Sequence, residues 1–149
     1  RPLLKLAPTH RWISAGEATV DLQVLTDYEN DETKGTAERI KLYPHTPQGE
    51  NMSVACMKIK GKGNFFTTKR LHPNQPSGTI TSEENNIYHW DSPRRLTFRE
   101  WKRLGSFPDD YYAKTDKIGK YMIGMSVPPK MTEQVARAVI DQWLLPCPA

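Results

Sequence analysis

One stretch decides the fold of this chain: RRLTFREWKRLGSFPDDY, residues 94–111. Thr97 and Glu100 have the spacing of a capping box, in which the threonine oxygen accepts a hydrogen bond from the third helical N–H and the glutamate accepts one from the threonine N–H. Gly105 comes next and can take the left-handed conformation that ends a helix. The stretch therefore predicts a short helix. Its apolar residues are Leu96, Phe98, Trp101 and Leu104. Leu96 and Trp101 stand at the two positions of a hydrophobic staple.

A second capping box lies near the start of the chain. Ser14 and Glu17 have the same spacing, and they predict a short helix with one apolar edge within residues 13–25. Residues 26–49 are rich first in acidic residues and then in proline and glycine. That composition predicts a long polar loop.

The middle of the chain is expected to supply the strands. Residues 52–60 and 64–71 are candidates for the two strands of a hairpin, because the glycines in Gly61-Lys-Gly63-Asn64 can take the positive φ of a hairpin turn. Residues 78–82 are a third candidate strand. Lys58, Lys60 and Lys62 would form a basic edge. Alternation places Lys58 and Lys60 on the same face of the strand.

A last helix is predicted near the end of the chain. Pro128 and Pro129 precede it, and Thr132 can cap it. Its apolar residues recur at helical spacing and need a surface to pack against. They are Val135, Ala136, Val139, Ile140 and Trp143.

Composition limits the possible functions without deciding among them. The chain has 149 residues, a net charge of +4 and 37% hydrophobic residues, with a mean hydropathy of −0.69. These values fit one domain with a lean core, and they permit a polyanionic partner such as DNA without requiring one. Cys56 and Cys147 are not in Cys-x-x-Cys spacing, which argues against a disulfide scaffold or a zinc site. Since there is no apolar run of membrane length and no signal-peptide pattern, we expect a cytoplasmic protein without a membrane partner.

Four motifs stand in a fixed order along the chain. SAGEATVDL (14–22) and KRLHPNQPSGTIT (69–81) precede the stretch at 94–111, and YMIGMSVPP (121–129) follows it. Together they resemble the region behind the eighth sequence block of the DNA cytosine-5 methyltransferases, which contains a target-recognition region, the ninth and tenth blocks and a final helix. The resemblance covers the chain essentially end to end.

The resemblance implies that the chain is the C-terminal part of such an enzyme. Residues 1–93 would be the target-recognition region, and residues 94–149 would complete the methyltransferase domain. The first residue is Arg1 rather than methionine, which fits a segment of a longer polypeptide.

The catalytic motifs of that family do not occur in this sequence. The glycine-rich cofactor loop, the Pro-Cys-Gln nucleophile and the Glu-Asn-Val base have no counterpart among the 149 residues. Pro146-Cys147-Pro148 lies behind the tenth block and has proline where the family has glutamine, so Cys147 is interpreted as a terminal thiol. We therefore assign no catalytic residue and expect the segment to be inactive alone. The implied partner is a missing N-terminal catalytic portion or subunit.

The resemblance also implies a reaction on double-stranded DNA. A target cytosine is flipped out of the helix, attacked at its sixth carbon by a cysteine and methylated at its fifth carbon from S-adenosylmethionine. Flipping is required because the reacting atoms cannot be reached inside a stacked duplex. This chain would recognise a short DNA sequence and position the cytosine.

Candidate DNA contacts follow from the resemblance and from side-chain chemistry. Cations can neutralise phosphates, and a hydroxyl beside an apolar residue can bond a phosphate or a base edge. An exposed strand with solvated charges is the alternative explanation. Arg95 and Arg99 are further candidates for DNA contacts. Structural salt bridges within the fold would account for these two arginines equally well. The main candidates are Lys69, Arg70, Thr79, Ile80 and Thr81.

Candidate cofactor contacts come from the resemblance alone. In the family, an Asn-Ser-Val segment helps to close the S-adenosylmethionine pocket, and its counterpart here is Met125, Ser126 and Val127. Met125 replaces the asparagine, so an amide contact is lost while Ser126 and the backbone remain. Gly105 likewise replaces a glutamine of the ninth block.

Other polar residues have simpler explanations. Asp109 and Asp110 follow Pro108 and are expected to form a turn or to cap a helix, rather than to act as an acid/base pair. The histidines lack the spacing of metal ligands, and none is expected to bind a metal. They are His10, His45, His72 and His89.

The sequence thus predicts an α+β chain. A small, strand-rich recognition region is followed by helix and strand elements that complete an α/β methyltransferase domain. Two alternatives stay open: a separate recognition subunit of a split methyltransferase, and a non-catalytic DNA-binding module, which Met125 suggests. The recognised DNA sequence does not follow from these residues, nor does a restriction-modification role as opposed to a solitary or phage role.

Overall fold

The computed structural model describes residues 3–7, 11–22 and 24–145. These ranges contain seven α-helices and one two-stranded sheet, so the predicted α+β class is confirmed. Cys147 and His10 lie outside the described residues. The helices are α1 (Ala15–Ala18), α2 (Asp27–Glu32), α3 (Ala37–Leu42), α4 (Met52–Lys60), α5 (Phe98–Leu104), α6 (Asp116–Met125) and α7 (Pro129–Val139). The strands are β1 (Lys69–Arg70) and β2 (Ile87–Tyr88), and short 3-10 or π-helical turns cover Tyr43–His45, Glu84–Asn86 and Ile140–Leu144.

Both predicted capping boxes are confirmed. Ser14 Oγ accepts from the Glu17 N–H at 3.2 Å, and the Glu17 carboxylate accepts from the Ser14 N–H at 3.0 Å. At α5 the corresponding bonds between Thr97 and Glu100 are 3.1 Å and 2.8 Å long. The end of α5 differs from the prediction, because Gly105 has φ −80° and the left-handed residue is Ser106, with φ 59°.

The predicted loop at residues 26–49 is largely helical. Thr26 begins α2 with a third capping box, in which its oxygen accepts from the Glu29 N–H at 3.2 Å. Helix α3 and the turn at Tyr43–His45 follow. Two of the acidic residues that suggested a loop, Asp27 and Glu29, stand in the first turn of α2, where the N-terminal end of a helix favours negative charge; Asp31 and Glu32 follow in the last turn of the same helix.

Residues 52–60 form helix α4 and not the predicted strand. Met52, Ala55 and Cys56 are buried and recur at the i, i+3, i+4 spacing of a helix face. Gly61 has φ 66° and ends this helix instead of turning a hairpin. The basic side chains of α4 therefore lie in its last turn, close to the carbonyl end of the helix, rather than on a strand face.

Residues 1–93, which were predicted to form a strand-rich recognition region, contain few strand residues where the structure describes them. Its sheet has two strands of two residues each, paired in parallel with Lys69 opposite Ile87. Residues 64–68 and 78–82 are not in strands. A parallel partner comes from a distant segment, so the local turn signals that predicted a hairpin do not apply to β1.

Two helices follow α5. Helix α6 was not predicted; it begins behind Thr115, whose Oγ1 accepts from the Ile118 N–H at 3.3 Å. Helix α7 begins at Pro129, earlier than the predicted cap at Thr132. Proline suits the first helical position because its missing N–H would have no partner there.

The core consists of two clusters. The first joins residues from both sides of the predicted boundary at 93/94, and Leu96 packs in it beside Trp101, as a hydrophobic staple requires. Its buried members are Ala15, Leu71, Ile87, Leu96, Trp101 and Ile123. The second lies around α4 and contains Leu42, Tyr43, Met52, Ala55, Cys56 and Tyr88.

No helix in the described ranges is long and apolar enough to cross a membrane.

Large apolar side chains are exposed along α6, α7 and the residues that follow α7. The exposed side chains, named the α6–α7 apolar surface below, are Met122, Met125, Val127, Met131, Ile140, Trp143, Leu144 and Leu145.

Candidate nucleic-acid interface

A cleft of about 380 Å³ brings two groups of candidate residues together. Thr79 and Ile80 line one side of it, and Gly124 and Ser126, at the C-terminal end of α6, line the other. The first pair was predicted to contact DNA, and Ser126 was predicted to contact the cofactor. The fold therefore places candidates for both contacts around one cleft.

The two sides of the cleft meet at Gly124. A Cβ atom at this position would lie 2.3 Å from the carbonyl carbon and oxygen of Thr81 and 2.4 Å from the nitrogen of Ser82. The backbone of the 81–82 segment thus lies directly on α6, and only glycine allows this approach. The close contact sets the position of Thr79–Thr81 relative to the end of α6.

A smaller cavity of about 220 Å³ adjoins the cleft through Thr79, which lines both. Lys69, Thr67 and Thr81 also line it. The Lys69 side chain has no hydrogen-bond or ion-pair partner within residues 3–7, 11–22 and 24–145. Its ammonium group is therefore available to an anion such as a phosphate.

Arg70, the neighbour of Lys69, is differently placed. Its Nε and Nη2 donate to the Trp90 carbonyl at 3.0 Å and 2.6 Å, and its Nη1 donates to the Thr46 carbonyl at 2.8 Å. The guanidinium also lies 4.1 Å from the centroid of the Tyr43 ring. These contacts use the guanidinium inside the fold, so the structure favours a structural role for Arg70.

Arg99 makes a bidentate pair with Glu29 in α2, through bonds of 2.7 Å and 2.8 Å. Burial by itself raises the pKa of Glu29, but the bonds from Arg99 and Thr26 outweigh it and lower that pKa. Arg95 lies 3.3 Å from Glu84 and donates to Asn85 at 3.1 Å. The geometry of both arginines favours the salt-bridge interpretation given above.

Lys120 is a buried charged residue that sequence reasoning missed. Its side chain is fully buried, and its Nζ lies 3.5 Å from Glu32 and 3.9 Å from Glu84 without a hydrogen bond to any described residue. Burial lowers the pKa of Lys120, and the two carboxylates oppose that change. The ammonium joins α6 to α2 and to the turn at Glu84–Asn86.

The three cofactor candidates form an exposed edge at the end of α6. Met125 and Val127 are 66% and 61% exposed. The Ser126 hydroxyl donates to the Met122 carbonyl at 2.6 Å, so its oxygen keeps free lone pairs as an acceptor. This arrangement fits one wall of a cofactor pocket: apolar side chains for a ring and one oxygen for a donor group.

Charge is unevenly distributed along the chain, which sequence reasoning also missed. Residues 51–82 contain five basic side chains and no acidic one, whereas the whole chain carries +4. The net positive charge of the protein therefore resides in this acid-free segment. It includes α4, β1 and the Thr79–Ile80 side of the cleft. A count of charges in windows would have found it.

Other titratable groups have structural explanations. Asp109 lies in the predicted turn behind Pro108, and its carboxylate accepts from Arg103 at 2.5 Å and 2.6 Å. Burial, with Arg94 adding to the effect, lowers the pKa of His89 to about 4. Across the described parts of the chain, no three histidine, cysteine, aspartate or glutamate side chains lie together as metal ligands would.

The family follows from a match to a family model. Residues 11–141 match the model of C-5 cytosine-specific DNA methylases. The chain belongs to this family. The matched range contains the cleft, the acid-free segment and the exposed edge of α6.

Individual relatives agree with this assignment. The chain is 33% identical to the type II methyltransferase M.BbvI of Brevibacillus brevis over 91% of its own length and 39% of that protein. It is 33% identical to the DNA (cytosine-5-)-methyltransferase M.ApeKI of Aeropyrum pernix over 74% of its length and 24% of that protein. The chain thus spans well under half of these two relatives.

A third relative is covered almost completely. The type II methyltransferase M.AquIB of a Picosynechococcus species is 36% identical over 70% of this chain and 91% of its own length. No solved structure matches the fold of the chain.

Proposed function

We propose that this chain recognises a DNA sequence and positions a flipped cytosine for methylation at its fifth carbon, as the C-terminal portion of a DNA cytosine-5 methyltransferase. The observation that carries the proposal is the acid-free segment 51–82, which holds the positive charge of the chain and forms one side of the cleft. Within this segment Lys60 pairs with Glu38 and Arg70 is held inside the fold, so the cations left for a partner, as far as the structure describes the chain, are Lys58, Lys62 and Lys69. Unpaired positive charge attracts a polyanion and steers its approach. Lys69 and Thr79–Thr81 are the proposed contacts.

Base recognition and phosphate binding are divided among these residues. Lys69 has a free ammonium group and suits a phosphate oxygen. The Thr79 and Thr81 hydroxyls, on either side of Ile80, suit a base edge or a phosphate, because a hydroxyl both donates and accepts. Arg70, Arg95 and Arg99 support this surface from inside the fold through the protein contacts given above.

S-adenosylmethionine supplies the methyl group in this family, and Met125, Ser126 and Val127 would form part of its pocket. Ser126 would accept a hydrogen bond and the exposed apolar residues would exclude water from one side. The other walls are proposed to come from the catalytic portion. The α6–α7 apolar surface supports this, since a surface of this kind marks a contact with another protein surface. A cytoplasmic setting and a restriction-modification role stay predictions for this chain.

A second candidate is a separate recognition subunit of a split methyltransferase. The observation that favours it is the match to M.AquIB, which this chain covers over 91% of that protein's length, compared with 39% for M.BbvI. A polypeptide of similar extent therefore exists among the relatives. The contacts with DNA are the same in both cases, and the difference is whether the catalytic portion is joined covalently.

The test is methyl transfer by the complete enzyme, which contains this chain and a portion carrying the Pro-Cys-Gln and Glu-Asn-Val motifs. We expect labelled methyl groups from S-adenosylmethionine to appear on cytosine in one short duplex sequence, and not when this chain is left out. Thr79→Ala is expected to weaken specific binding more than folding. Duplex binding without methyl transfer to any cytosine would instead support the non-catalytic DNA-binding module. An absence of duplex binding would exclude DNA recognition.

A further inference from the structure

A tight loop connects α4 to β1 and presents an aromatic ring to solvent. It spans residues 61–67 and is called the Phe66 loop here. Phe66 is 66% exposed, although its neighbour Phe65 packs against the second core cluster. Two consecutive phenylalanines thus have opposite environments, one inside the fold and one outside.

The loop is held in this shape by specific bonds. Asn64 Oδ1 accepts from the Phe65 N–H at 2.7 Å, and the Phe65 carbonyl accepts from the Thr68 N–H at 3.1 Å. Phe65 has φ 59°, a left-handed conformation that costs energy in a residue with a side chain. The Arg39 guanidinium lies 5.0 Å from the Phe65 ring centroid and holds it inward. The strained Phe65 backbone and its anchored ring together direct Phe66 outward.

The Phe66 ring rests on a glycine. A Cβ atom at Gly63 would lie 2.6 Å from Cζ of Phe66 and 3.5 Å from Cε of Met57. The ring thus has a defined position on the end of α4, and Met57 beside it is 53% exposed. Such an anchored ring can contact a partner with little loss of conformational entropy on binding.

The surroundings of the ring indicate the chemistry of its partner. The Phe66 loop lies in the acid-free segment, and Lys58 and Lys62 are exposed without an ion-pair partner in the part of the chain that the structure describes. A partner must therefore offer negative charge and an apolar or aromatic surface at once. DNA offers both, through its phosphates and through base edges such as the thymine methyl group.

The loop is also continuous with the proposed DNA surface. Thr67, its last residue, lines the same cavity as Lys69, Thr79 and Thr81. Phe66 thus directly precedes a residue of this cavity lining in the chain. A phosphate-binding cation and an apolar ring at neighbouring positions are the two elements of sequence readout in a groove.

We propose that Phe66 is a specificity-determining residue, which contacts a base in the groove while Lys62 and Lys58 neutralise flanking phosphates. This inference rests on the proposed DNA recognition and names the loop that reads the sequence. Lys69 and Thr79 then hold the duplex in place next to it. No covalent step is involved.

The test compares variants of the complete enzyme in binding to randomised duplex pools and to the selected site. Phe66→Ala is expected to lower affinity for the selected site by about 10-fold to 100-fold, as loss of one base contact does, and to leave binding to unrelated duplexes unchanged. The selection should also lose its preference at one position. Phe66→Leu keeps an apolar side chain and is expected to lose less.

Two matched controls accompany these variants. Tyr112 is another exposed aromatic residue, outside the acid-free segment, and Tyr112→Ala is expected to bind like the unmodified enzyme. Lys62→Gln should weaken binding to every duplex and reduce the salt dependence by roughly one released ion, whereas Lys114→Gln should not. Because Phe66 is exposed, its variants should melt within about 2 °C of the unmodified enzyme.

The outcomes separate this inference from the proposed function. Unmodified enzyme that selects a site, together with Phe66→Ala that selects it equally well, overturns the role of Phe66 and leaves DNA recognition standing. If Phe66→Ala loses association with the catalytic portion while it still discriminates between duplexes, the ring makes a protein contact and the proposal is overturned. Unmodified enzyme that binds no duplex overturns both.

Discussion

Substitution of Gly124 by alanine tests the contact that builds the cleft. The added Cβ would lie 2.3 Å from the backbone of Thr81, so the two segments must separate by at least 0.7 Å to reach the 3.0 Å that real contacts require. Both obstacles are backbone atoms of a chain that is packed on α6, and neither can rotate away. Overpacking costs about 1–3 kcal/mol, and a clash with immobile backbone belongs in the upper part of that range, at about 2–3 kcal/mol. Replacement of glycine within a helix regains roughly 1 kcal/mol.

We therefore expect Gly124→Ala to lower the free energy of unfolding by about 1–2 kcal/mol and the melting temperature by roughly 2–8 °C. Urea unfolding of the purified chain measures the first quantity, and titration with duplex DNA measures the effect on the cleft. Because Thr81 must move, affinity for the duplex should fall as well.

Gly119→Ala is the matched control, since it places alanine in the same helix. Its Cβ would lie 2.4 Å from the ring of Phe98, a half-buried side chain that can rotate, rather than from backbone. We expect a smaller loss of stability and unchanged duplex affinity. If Gly124→Ala were as stable as the unmodified chain or more stable, the close approach of residues 81–82 to α6 would be refuted.

Substitutions at four further positions test individual interactions. Since burial lowers the pKa of His89 to about 4, the unfolded chain binds its proton first and stability should fall by up to roughly 3 kcal/mol as pH drops from 6.5 to 4; His89→Gln should remove this part of the pH dependence in urea titrations. Thr97→Ala should cost about 1–2 kcal/mol by removing the α5 cap, and Thr97→Ser should restore most of it in thermal melts. Arg70→Met should destabilise the chain by roughly 2–3 kcal/mol, because buried carbonyls lose their donor, while Lys69→Met should only weaken duplex binding and lower its salt dependence. Equal melting temperatures for the last two variants would contradict the separate roles of these neighbours.

The predictions that succeeded depend on contacts between residues close in sequence. A capping box needs only Thr97 and Glu100, three positions apart, so its pattern is visible before the fold is known. The same rule, applied to Thr26 and Glu29, would have found α2. There the run of acidic residues was interpreted as a loop, although it begins in the first turn of a helix and continues to the end of that helix.

The predictions that failed required knowledge of burial. Residues 52–60 alternate well enough for a strand, and only the burial of Met52, Ala55 and Cys56 against a common cluster identifies the helix face. The positive φ of Gly61 fits both a hairpin turn and the end of a helix, so it did not decide between them. The prediction that Gly61 takes a positive φ was correct, and the prediction that it lies in a hairpin turn was wrong.

For the candidate site, too, the residues could be named from the sequence, whereas their arrangement in space could not. Sequence motifs named both sides of the cleft, but the sequence does not show that Thr79 and Ser126 meet, since they are brought together by the packing of residues 81–82 on Gly124. Neither does it show that adjacent cations differ, with Arg70 held by carbonyl oxygens and the Lys69 side chain free. A side chain's role depends on the partners around it, and these come from distant segments.

The sequence by itself determined the family, the order of its motifs and the capped start of α5, because these depend on residue identity and on bonds spanning a few residues. Tertiary structure decided whether residues 52–60 are helix or strand, which cations are free and where the cleft lies. Each of these depends on burial and on contacts between residues far apart in the chain, since the energy of an exposed or unpaired group is settled only when its neighbours are in place.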